Sequence, residues 1–118
     1  MQKKEIDQLR KEIERILIDN KALGIKSITL KNKTSIADFM IIASGSSSRH
    51  IQALSEILLK KLKDIGVKNC RLEGQNSNEW KLIDAVDIII HIFHPEKRKF
   101  YNLERMWSEL IPKERLMI

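Results

Sequence analysis

Apolar positions first recur at helical spacing. Ile6, Leu9, Ile13, Ile16 and Leu17 fall on one stripe, with Lys, Arg and Glu on the back. The pattern predicts an amphipathic N-terminal helix over residues 1–20. Gly24 follows it, and Ile25 to Leu30 reads as a strand. Thr34-Ser35 begins a turn. Phe39-Met40-Ile41-Ile42-Ala43 is a short, wholly apolar run, the mark of a central strand buried on both faces. Gly45 and three serines interrupt it. Ile51, Leu54, Leu58, Leu62 and Ile65 then define a long helix, with an N-cap among Ser46 to Ser48 and Gly66 as its stop. Cys70 to Glu73 is a further strand. Glu79–Asp84 and Asp87–Phe93 form a hairpin around Ala85-Val86, although Ala-Val is poor chemistry for a type I′ turn. Pro95 opens a last helical region whose apolar stripe is Phe100, Leu103, Trp107, Leu110 and Ile111. The expected fold class is α/β, one domain, a mixed sheet packed with helices, with the α/β core over residues 22–111.

Composition narrows the class. At 118 residues, 42% apolar and 32% charged, the chain suits one soluble globular domain and not a disordered one. No apolar run approaches the ~20 residues of a membrane span. The opening residues lack a hydrophobic signal core and contain acids, unlike a transit peptide. Cys70, the single cysteine, excludes an internal disulfide and fits a reducing compartment. These features predict a cytoplasmic protein.

Charge adds a second layer. The chain carries +6 overall, yet Glu73, Glu79, Asp84 and Asp87 stand against one base, Lys81, between Glu73 and His91. An acidic, Trp-bearing surface on a basic domain is suited to docking a basic protein. On its strand, Trp80 shares a face with Leu82 and Asp84, while Lys81 and Ile83 take the other. Two roles are open to Trp80, an interface anchor or a core tryptophan against the sheet. Trp107 sits on an apolar stripe and reads as core. Lys60, Lys61, Lys63 and Lys68 form the wet face of the long helix, or a contact to RNA.

No catalytic constellation emerges. Ala43-Ser44-Gly45-Ser46-Ser47-Ser48 lies between strand and helix, where a phosphate can bind, but the second glycine and the Lys-[Ser/Thr] of a P-loop are missing. A tight turn with a serine cap is the simpler account. His91 and His94 would need His50 and Cys70 to converge with them to close a zinc site. Cys70 has no evident activating base. Asp84 and Asp87 are three apart across the turn, and no Asp-x-[Asp/Glu] pair follows Gly45, so the alternating carboxylates that hold magnesium under a nucleotide are absent. Neither metal nor cofactor is expected.

The ordered set Asp38-Phe39, Ala43-Ser44-Gly45, Glu73-Gly74, Trp80, Asp84, Asp87, His91, Phe93, Arg98, Tyr101, Leu103-Glu104 and Trp107 resembles the ribosomal silencing factors, the Iojap family. The resemblance runs from about Ala22 to Trp107. One departure is local: the family usually has an aromatic-glycine pair where this chain has Ala85-Val86. The resemblance implies a fold related to nucleotidyltransferases without their catalytic residues. It also implies a translation repressor that binds the fourteenth protein of the large ribosomal subunit and sterically blocks subunit joining under starvation or in stationary phase. A homodimer is the self-association allowed to the unbound protein. The partner-binding residues expected on this basis are Trp80, Asp84 and Tyr101, supported by Glu73, Asp87 and Arg98. A nucleotidyltransferase-type enzyme and a direct ribosomal RNA binder are the rival functions.

Overall fold

The computed structural model describes residues 3–30, 37–74, 76–77 and 79–96. The helical region expected after Pro95, with Arg98, Tyr101 and Trp107, lies outside the described residues, as does the turn at Thr34-Ser35. Seven elements are defined in chain order: α1 (Lys3–Asp19), β1 (Leu23–Thr29), β2 (Phe39–Ser44), α2 (Ser48–Asp64), β3 (Arg71–Glu73), β4 (Trp80–Asp84) and β5 (Ile88–Phe93). The strands form one mixed sheet in the order β1-β2-β5-β4-β3. β2 and β5 run parallel; the other neighbours are antiparallel. The wholly apolar β2 run is interior, as its composition requires, but the middle strand is β5, all six of whose residues are buried.

Alternation along the strands divides the core. Ile41, Ala43, Ile83, Ile90 and Ile92 meet the buried stripes of α1 and α2: Ile6, Leu9, Ile13 and Leu17 from one, Ile51, Leu54, Leu58 and Leu62 from the other. Both helices therefore pack on one face of the sheet. The opposite face gathers Ile28, Met40, Ile42, Leu82, Ile89 and Phe93 into a second cluster, with half-buried Trp80 against it. α1 is tied down by polar contacts too. Arg10 is bracketed by Asp7 and Glu14, and its guanidinium lies 5.2 Å from the Phe39 ring centre. Glu14 also accepts the Ser27 hydroxyl of β1.

Both helices end in the same backbone device. At the end of α2, Gly66 N–H reaches Lys63 O and Val67 N–H reaches Leu62 O, with Gly66 at φ 90°. At the end of α1, Lys21 N–H and Ala22 N–H make the equivalent bonds to Ile18 O and Leu17 O. Here the left-handed residue is Lys21, φ 63°, not the glycine three residues on. Gly24 instead lies in β1 at φ 53°, where the β1–β2 register shifts between Leu23 and Lys26. Glycine offers no side-chain resistance to such an irregularity.

The β4–β5 hairpin closes one residue later than the Ala-Val pair suggests. Asp84 faces Ile89, and Ala85 N–H still bonds Ile88 O, leaving Val86-Asp87 as the loop. A type I′ turn would need positive φ at both loop residues. Only Val86 has it, at 70°. Asp87 N–H folds back to Ala85 O at 2.9 Å, and Asp84 Oδ1 accepts Val86 N–H at 2.9 Å. A three-residue turn capped by an aspartate thus replaces the type I′ geometry.

Candidate docking face

Glu73, Asp84 and Trp80 meet, together with Arg71, on the sheet face away from the helices. In antiparallel pairing, directly opposed residues share a face, so Arg71 sits beside Asp84 and Glu73 beside Leu82. Trp80, Leu82 and Asp84 alternate with Lys81 and Ile83, which point to the helix side. The sheet thus brings Glu73, Trp80 and Asp84 onto one surface. Glu73 is exposed, and Trp80 and Asp84 are half-buried. Asp87 lies apart on the hairpin turn, where its carbonyl accepts Asp38 N–H at 2.8 Å. Arg98 and Tyr101 lie outside the described residues.

Trp80 is neither free nor fully core. Its indole Nε1–H donates to His91 Nδ1 at 3.3 Å, and its ring centre lies 6.4 Å from that of Phe93. His91 and Phe93 stack nearly parallel, centres 5.6 Å apart. Behind the indole, Gly74 approaches so closely that an added Cβ would stand 2.7 Å from Trp80 O and 2.9 Å from Trp80 Cε3. Gly74 also has φ 78°. Only glycine meets both conditions without strain. The same loop is pinned by Lys81, buried at 2% exposure, whose Nζ donates to Gly74 O at 2.8 Å. Ser77 Oγ accepts Trp80 N–H at 3.1 Å and Glu79 N–H at 3.2 Å. The indole is therefore preoriented by β5 beneath and by the β3–β4 loop at its edge.

Gly74, Ser77 and Lys81 hold Trp80, a role that the hydrophobic and polar pattern does not single out. The Glu73-Gly74 pair carried a signal, since a glycine at a strand end marks positive φ or close approach. Nothing local announced that the single base of the acidic stretch is buried.

His91 is buried, and that burial pushes its pKa down to about 4, so the ring is neutral at physiological pH. Because Nδ1 accepts the indole proton, the ring's own hydrogen sits on Nε2. That atom is buried with no hydrogen-bond partner among the described residues. The zinc alternative fails on placement. His50 commits Nδ1 to Ser46 N–H and Nε2 to Asn20 O, both at 2.9 Å. Cys70 packs against the helix-side core, whereas His91 is across the sheet. Burial raises the Cys70 thiol pKa, the opposite of what a nucleophile needs. The serine loop resolves into a cap: Ser47 accepts His50 N–H at 3.1 Å. Asp84 spends an oxygen on the turn and Asp87 sits beyond the strand, so the two do not form an alternating carboxylate pair.

Known proteins agree with the ordered residue set. Residues 3–116 match the family described as ribosomal silencing factor during starvation. A ribosomal silencing factor of Zymomonas mobilis is 48% identical over 102 residues, covering 86% of this chain and 77% of that protein. The mouse protein named mitochondrial assembly of ribosomal large subunit protein 1 is 29% identical, over 79% of this chain and 42% of its own length. A crystal structure from Chromobacterium violaceum superposes with a TM-score of 0.82 at 33% identity, covering 99% of this chain and 95% of that one.

Proposed function

The chain belongs to the ribosomal silencing factor family, and from that premise we propose that it binds the large ribosomal subunit through its fourteenth protein and blocks joining of the small subunit. The block is steric and needs affinity and bulk, not chemistry. The protein then acts as a translation repressor in the cytoplasm, under starvation or in stationary phase. No helix among the described residues is long and apolar enough to cross a membrane.

The observation that carries this reading is the joint placement of Trp80, Asp84 and Glu73 on the helix-free face of the sheet. A preoriented tryptophan supplies contact area at low entropic expense, and flanking carboxylates match a basic ribosomal protein in sign. A nucleotidyl-transfer function has no such support, because Asp84 is engaged by the turn and the alternate positions beside it are Leu82 and Val86. Light scattering of mixed ribosomal subunits tests the proposal. Added protein should lower the association amplitude, and sedimentation should find it on large subunits. Unchanged association at saturating protein would remove the proposal.

A further inference from the structure

The two helices carry their charges differently. On α1 every base among Arg10, Lys11 and Arg15 lies within ion-pair distance of an acid three or four residues away, so the helix surface is internally neutralised. At the end of α2 and in the loop just after it, the pattern breaks. From Lys60 to Lys68 the chain carries four lysines against one acid, Asp64, a net +3 that is half of the whole chain's +6. Lys60, Lys61, Lys63 and Lys68 are all exposed. None of the four forms an ion pair within 4 Å among the described residues. Lys61 acts electrostatically on Glu12 of α1, which is already held by Arg15.

Position gives this ridge its meaning. α2 buries Ile51, Leu54, Leu58 and Leu62 against the sheet, so its lysines point away from the layer that bears Trp80 on its far side. Like charges this close in the chain repel, and a folded chain retains such an arrangement at some expense in stability. A polyanion relieves it. Flexible ammonium groups along a helix suit phosphates as point charges without base readout, and displacement of condensed counterions adds a salt-dependent driving force. We infer that Lys60, Lys63 and Lys68 form a second binding surface, for the phosphate backbone of RNA, on the side of the molecule opposite the docking face. It goes beyond the subunit-docking reading and does not require it. A ribosome-bound protein with an aromatic, carboxylate-bearing face for protein and a basic ridge for RNA would hold its site by two chemically independent contacts.

Fluorescence anisotropy of the full chain with labelled oligouridylate RNA, titrated across a salt series, tests the assignment. The parent should bind with log K falling linearly with log salt. Lys60→Gln/Lys63→Gln/Lys68→Gln should bind at least ~10-fold more weakly at low salt, with the slope reduced by about one per lysine in contact. Trp80→Ala should bind RNA like the parent. Circular dichroism checks that the triple variant is folded; single substitutions of these exposed lysines, each lowering the slope by about one, serve if it is not. Failure of the parent to bind RNA, a slope unchanged by the substitutions, or equal binding to polyglutamate would each overturn the RNA surface. Failure of large-subunit sedimentation with RNA binding intact would instead overturn only the docking proposal.

Discussion

At the scale of single residues, the contact between Gly74 and Trp80 is the tightest constraint on the docking face. A methyl group at position 74 would meet backbone oxygen, which cannot swing aside as a side-chain tip can, and would do so at φ 78°. Gly74→Ala should therefore destabilise the protein by ~1–3 kcal/mol, the usual range for a non-glycine residue held in a sparsely populated conformation. It should also shift the indole away from His91. Denaturant unfolding reads the first effect, and the indole N–H resonance in a nitrogen-resolved NMR spectrum reads the second. A variant as stable as the parent with an unmoved resonance would show that the close approach is not needed. Lys81 is the other residue-level surprise. Its ammonium is buried by the fold yet bonded to the Gly74 carbonyl, so its charge serves the loop and not the surface.

The β4–β5 hairpin sets two effects at the scale of elements. Its turn forces Val86 to φ 70°, a conformation that a β-branched residue resists. Val86→Gly should raise stability by about 1 kcal/mol, strain relief outweighing the extra freedom of glycine in the unfolded chain. A higher denaturant midpoint at unchanged slope would establish it, and a lower midpoint would contradict the strained turn. The strands themselves bury His91 under Trp80. A histidine with an ordinary pKa near 6.5 when unfolded and about 4 when folded binds more protons in the unfolded state between those values. Its contribution is thus fully present above pH ~6.5 and is lost as pH falls toward about 4, by on the order of 3 kcal/mol. Protonation would also remove the Nδ1 acceptor of the indole. Stability measured from pH 7 to 4 should fall in that window, and less steeply in His91→Asn. Equal pH dependence of the two proteins would place the loss on other groups.

For the whole molecule, the sheet separates two surfaces, Trp80 with Glu73, Asp84 and Arg71 on one side and the exposed lysines of α2 on the other. The docking variants should differ in kind. Trp80→Ala removes a preoriented apolar anchor and should weaken large-subunit binding by ~2 kcal/mol or more, a factor of roughly thirty, mainly through faster dissociation. Asp84→Asn keeps the oxygen that accepts Val86 N–H but loses the charge. It should slow association and flatten its salt dependence with little change in the off-rate. Stopped-flow and dissociation measurements on folded variants separate the two. Parent-like kinetics for both would mean that the partner meets another face.

The sequence by itself determined the kinds of elements and their inward sides. Helical spacing placed the buried stripes of α1 and α2, except that Ile65, expected on the second, caps the helix and is exposed; strand alternation put Trp80 and Asp84 on one face with Lys81 on the other, because local geometry fixes side-chain direction within an element. The ordered residue set also carried the family. Tertiary structure alone decided that β5, not β2, is the middle strand, that both helices cover the same face, and that Glu73 comes beside the tryptophan strand. Pairing partners depend on contacts between residues far apart in the chain, which no periodic pattern encodes. The left-handed Val86 and Lys21 were decided there too. At both positions the surrounding hydrogen bonds impose a backbone that the residue's own preference would refuse, so only the assembled fold reveals it.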